Sequence, residues 1–218
     1  MTWEDPGRRL EGERVVLEPL QRRHADDLFA ASRDPATWRW LPRTRPDRRE
    51  LDALIAEALA ARDAGTEVPF ALVERATGRA IGSTRYLALR PEHRGLEVGW
   101  TWLDPAHWST GANVEGKLLL LDHAFGCLRC IRVEFKTDAR NERSRAALAA
   151  LPAQFEGIFR RHMVVPGGLR DSAWYSIIVD DWPQVRENLR RRLAGKRGVR
   201  QRTPALGDAA PGAAPSST

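Results

Sequence analysis

Short β-branched runs alternate along this chain with stretches of helical period, and that alternation lays out most of its elements. The run RVVLEPL, residues 14–20, reads as a strand that stops at Pro19. Residues 24–32 follow as a helix with Ala25, Leu28, Phe29 and Ser32 on one face. Residues 47–64 form a second helix. Asp47 suits the N-cap, Glu50 stands three residues on as in a capping box, and Leu51, Leu54, Ile55, Ala58 and Leu59 make the apolar stripe before Gly65 ends it. Residues 70–75 and 80–87 flank the polar turn Ala76-Thr77-Gly78-Arg79 and predict an antiparallel hairpin. In the next strand, residues 96–103, even alternation puts Glu97, Gly99 and Thr101 on one face and Val98, Trp100 and Trp102 on the other. After Asp104-Pro105 a polar loop, residues 107–113, opens a long helix that turns Val114, Leu118, Leu121, Ala124 and Phe125 inward. Residues 130–137 read as a strand and 141–150 as a helix. A second hairpin, 154–165 with 172–179, turns around Pro166-Gly167-Gly168, and Asp181-Trp182-Pro183 starts a final helix. The alternation predicts an α/β or α+β domain.

Composition agrees with one folded unit. The chain has 218 residues, 42% hydrophobic and 29% charged, enough for one full-size core. Residues 203–218 hold three Pro, two Gly and no aromatic side chain, too little apolar area to offset ordering. We therefore expect a domain over 1–195 and a disordered tail over 196–218, basic at first and then rich in Pro and Ala. No membrane span or secretory signal is visible, and two cysteines without an export signal suit a cytoplasmic location. The net charge of +6 suggests nucleic acid until its place is noted: residues 186–202 carry +7 and residues 1–185 are neutral. A solvated helix end explains that run better than an RNA or ribosome contact does. Only three of the 35 basic residues are lysines, Lys117, Lys136 and Lys196, so single arginines carry little functional weight. His123, Cys127 and Cys130 lack the second pair that a tetrahedral metal site needs, and no metal is expected.

The chemistry concentrates where the strand at 96–103 feeds a Gly-containing loop that opens a helix. First-turn N–H groups have no intrahelical partner and the dipole is positive there, so residues 109–113 are a ready anion site. The order of that strand, loop and helix, the strand 131–136, and then the run KTDARNERSRAAL resembles the GNAT superfamily of acetyl-CoA-dependent N-acetyltransferases, in its RimJ/RimL-like branch. The resemblance covers residues 10–185 and implies a mixed, mostly antiparallel sheet of about seven strands with helices on both faces.

It also implies sites and partners. The family loop holds the coenzyme A pyrophosphate, which here means Trp108, Ser109, Thr110, Gly111, Ala112 and Asn113. The family pattern Q/R-x-x-G-x-G/A departs at both ends, with Trp108 for the polar residue and Asn113 for the small one. Strand residues Trp102 and Leu103 would pair with the cofactor arm, as an added strand does, and Asn141 would hydrogen-bond it with Ser144 one turn further. Glu97 is the candidate base and Ser144 the candidate acid, since the family's more usual Tyr is absent. Trp38, Trp40, Tyr86 and Tyr175 are candidate walls of the acceptor groove. The implied reaction is direct attack of a primary amine on acetyl-CoA in a ternary complex. The acceptor is left open between a protein N-terminus, a lysine and a small amine, and the enzyme is expected to be a homodimer. The alternative is a non-catalytic acyl-CoA-binding or RNA-associated module. Pro152 stands where relatives end the helix with Gly, so the helix exit is expected to differ.

Overall fold

The computed structural model describes residues 3–200; the Pro/Ala-rich segment and Arg202, the last basic residue of the 186–202 run, lie outside them. One sheet organises the chain. Its strands are β1 (Leu10–Glu11), β2 (Val15–Pro19), β3 (Val68–Glu74), β4 (Ala80–Arg90), β5 (Gly95–Leu103), β6 (Arg132–Asp138), β7 (Gln154–Val165) and β8 (Gly168–Ile178). They lie in the order β1-β2-β3-β4-β5-β6-β8-β7. All neighbours pair antiparallel except β5 and β6, which are parallel. The expected seven strands are joined by the two-residue β1, too short to show a period.

Period-two alternation divides the sheet between two cores. Val15, Leu17, Phe70 and Leu72 face one of them with α3 (Ala112–Asp122) and α5 (Trp182–Arg200). Val16, Ala71 and Val73 face the other with α1 (Ala25–Ala31) and α2 (Arg48–Asp63). The capping box on α2 forms in full, with the Glu50 N–H donating to Asp47 and the Asp47 N–H donating to Glu50, both at 2.7 Å. A short helix α4 (Glu142–Ala149) follows β6, capped by Asn141, whose Oδ1 accepts from the Ser144 N–H at 3.1 Å.

One buried carboxylate ties α3 to the sheet. Glu115 accepts from the backbone N–H of Glu13, Arg14 and Val15 at 3.1, 2.7 and 2.8 Å, closing the β1–β2 turn against the helix start. That anchor also brings Arg14 to the loop before α3, where it donates to the Thr110 carbonyl. Helix α5 runs past the expected boundary at 195 and packs along α3.

One sequence expectation is corrected here. A bulge at Trp100, which takes φ 49, shifts the β4–β5 register so that Ser83 faces Trp102 but Arg85 faces Gly99. Alternation therefore reverses past residue 100. Thr101 and Leu103 turn to the face of Leu96 and Val98, where Thr101 shares a 2.7 Å hydrogen bond with Thr84, while Trp102 joins the opposite core. At the α4 exit the Ala153 N–H reaches back to the Leu148 carbonyl at 3.1 Å.

Candidate active site

Strands β5 and β6 pair only over Gly95–Arg132, Leu96–Val133 and Glu97–Glu134. Beyond that point they part, while β6 continues to Asp138 on its other neighbour. The gap opens a cavity of about 490 Å³ that reaches from Glu97, along the inner edge of residues 98–103, to the loop before α3. A splayed sheet leaves strand-edge N–H and C=O groups without protein partners on that side, which suits an extended amide-bearing ligand.

At the closed end of the gap Glu97 is 2% exposed, and its Oε2 accepts from Lys136 Nζ at 2.8 Å. Burial raises the Glu97 carboxyl above its ordinary range, and the Lys136 ammonium pulls it part of the way back. Gly99 leaves room beside it: an added Cβ would stand 2.8 Å from Glu97 Oε1 and 2.7 Å from Leu87 Cδ1, so those side chains would have to move. Lys136 in turn lies 5.3 Å from the Trp174 ring centroid, and Phe159 of β7 stacks on the Trp174 ring with centroids 4.6 Å apart.

The other end is cationic. Ser109 and Gly111 take φ 63 and 103, which bends the loop tightly into the first turn of α3. Arg143 of α4 lies over the Trp108 ring at 3.5 Å, and Trp108 Nε1 donates to the Leu103 carbonyl at 3.2 Å. Lys196 of α5 donates to the Ser109 carbonyl, and Arg192 also lines the cavity. Burial pulls Lys117 down to about 8, with its Nζ donating to Asn113 Oδ1 at 3.3 Å. The basic run of α5 is thus turned partly inward; Arg186 pairs with Asp122 at 2.7 Å.

The structure brings most of the expected site together. Glu97, Trp102, Leu103, Trp108, Ser109, Gly111, Asn113, Asn141 and Ser144 all line this cavity. Thr110 and Ala112 do not: Thr110 Oγ1 closes the loop on the His107 carbonyl at 2.8 Å, and Ala112 packs in the core. The four expected groove aromatics separate. Trp40 lines the cavity, whereas Trp38 is buried against Trp102 with ring centroids 5.4 Å apart and edges only a neighbouring cleft. Tyr86 is wholly buried and donates to the Leu120 carbonyl at 2.7 Å, so it is a core residue. Tyr175 faces the core side of β8 and accepts from Arg145 Nε at 3.2 Å; its neighbour Trp174 faces Lys136 instead. Reading the sequence did not single out Lys136, Arg143 or Arg170 as site residues. Cys127 and Cys130 are free thiols away from the cavity, and burial pushes Cys130 up to about 12, so neither supplies an acyl-accepting thiolate there.

Known proteins share both the sequence pattern and the fold. The family model "Acetyltransferase (GNAT) domain" matches residues 14–153. YoaA, an uncharacterized N-acetyltransferase of Bacillus subtilis (strain 168), is 26% identical over 170 residues, spanning 78% of this chain and 96% of that protein. A GCN5-related N-acetyltransferase from Brucella melitensis superposes with a TM-score of 0.80 at 31% identity, covering 85% of each chain. Mycobacterium smegmatis RimJ, solved in complex with CoA-disulfide, has the same fold, with a TM-score of 0.72 and 22% identity over 87% of this chain and 96% of that one. The chain therefore belongs to the GNAT acetyltransferase family and is an acetyl-CoA-dependent acyltransferase.

Proposed function

We propose that this enzyme acetylates a primary amine by direct attack within a ternary complex, with Glu97 as the base. The observation that carries this reading is the buried Glu97 at the point where β5 and β6 part, at one end of a cavity whose other end is a helix N-terminus ringed by cations. The residues present fit a long anionic donor. Arg143 on Trp108, together with Lys117, Arg192 and Lys196, supplies charge for phosphates, which offsets the loss of the family's polar residue at position 108. Asn141 spends its Oδ1 on the α4 cap, so its amide nitrogen is the group it offers a ligand.

Acetyl-CoA supplies the activated thioester when bound. Glu97 takes the proton of the attacking amine, a role suited to a carboxylate that burial has raised and Lys136 pulls partly back. A backbone N–H at Trp102 or Leu103 donates to the thioester oxygen as charge develops on it. Ser144 shares its proton with the leaving sulfur. The test is a free-thiol assay of Glu97→Gln against a panel of amines and N-terminal peptides, with calorimetry on acetyl-CoA. Turnover should fall about 10²–10⁴-fold while acetyl-CoA affinity is kept; an unchanged rate would remove Glu97 from the mechanism.

A further inference from the structure

Next to the reaction cavity lies a second, smaller cleft of about 270 Å³, between the loop around residues 35–45 and the tip of the β7–β8 hairpin. Trp40, Leu41 and Arg170 line both, so the two spaces share a wall. The charged groups of the smaller cleft are four arginines, Arg39, Arg45, Arg140 and Arg170, against one carboxylate, Asp138. Asp138 is already taken, bound by Arg140 through Nε at 3.0 Å and Nη2 at 2.9 Å. Arg39 and Arg140 both lie over the Trp40 ring, 5.1 and 5.8 Å from its centroid.

Arg170 is the unusual member. It is 6% exposed, yet its guanidinium makes one hydrogen bond, Nε to Ser172 Oγ at 3.1 Å, and among the described residues it has no carboxylate within ion-pair distance. Ser172 Oγ also lies 3.0 Å from His162 Nδ1, so the arginine is held in place by a short polar chain that does not neutralise it. Glu97 and Asp138, whose charges act on Arg170 from a distance, are each engaged by another cation. A buried guanidinium without a counter-ion is costly unless a ligand supplies one, and its planar fork matches a carboxylate.

Resting on the acetyl-transfer reading above, we propose that the acceptor is an amine carrying a carboxylate at its far end. Its amino group lies toward Glu97, and its carboxylate is received by Arg170 at the wall between the two clefts. The arginine rim argues equally against polyamines and other polycations, whose second charge would meet like charge.

The experiment is calorimetric titration of the CoA-saturated protein with ω-amino carboxylates from β-alanine to ε-aminocaproate, beside the matching carboxamides, the matching aminoalkyl phosphonates and the diamines. The best carboxylate should bind about tenfold or more tighter than its carboxamide, as a charge-assisted bond requires, and Arg170→Gln should bring that ratio close to one. Equal binding of carboxamides, tighter binding of diamines, or a ratio that survives in Arg170→Gln would overturn the proposal. Tighter binding of phosphonates than carboxylates would also overturn it. If Arg170→Gln does not fold, the exposed pair Arg39→Gln/Arg45→Gln should weaken the carboxylates alone, and uniform weakening of both series would count against it. Thiol release measured in parallel separates the two readings. Acetylation of neutral amines with refusal of carboxylates sinks this inference alone, whereas binding of carboxylates with no transfer to any amine sinks the proposed reaction.

Discussion

Lys136 shows how one residue sets the working range of another. It is one of three lysines in a chain with 35 basic residues, and all three line the reaction cavity. Arginine serves elsewhere, so the surviving lysines were the available sequence signal that this strand position was special; a compact ammonium suits a tight pairing that a guanidinium fork does not. Glu97 was legible from its strand, but its partner lies 39 residues away on β6 and no local pattern joins them. Lys136 lowers a carboxyl that burial has raised. Removing it therefore raises Glu97 further, and the base ionises only at higher pH. For Lys136→Met, the acid limb of kcat/KM should move to higher pH, with partial return in Lys136→Arg. A purely structural role for Lys136 would instead lower the rate evenly across pH.

At the scale of elements, the legible parts were those with local chemistry. The α2 capping box, the Asn141 cap and the hairpins follow from neighbours a few residues apart. What alternation missed was the bulge at Trp100, because one inserted residue reverses every face beyond it while leaving the composition of the strand unchanged. The same parity explains Tyr175 and Trp174: both are aromatic strand residues, and only the register of β8 on β6, with Lys136 opposite Trp174, tells which one meets the site.

Across the whole molecule, both cores are mainly apolar, and a buried imidazole stands among their side chains. His123 sits in the π-helical turn after α3, 3% exposed, stacked on Tyr86 at 6.2 Å, with neither ring nitrogen hydrogen-bonded. Burial, reinforced by Arg8, pulls its imidazole down to about 4 from an ordinary 6.5. The folded chain therefore keeps His123 neutral where the unfolded chain takes up a proton, and stability falls as pH drops from about 6.5 to about 4, by about 3 kcal/mol. His24, also held below its ordinary value by burial, acts in the same direction. Glu97 acts the other way, since its raised carboxyl protonates first in the folded state. His123→Phe keeps the ring and removes the titration. Its unfolding free energy, measured in denaturant across that pH range, should match or exceed the parent at neutral pH and lose about 3 kcal/mol less on acidification. Parallel curves for parent and variant would show that His123 does not govern the acid stability of this fold.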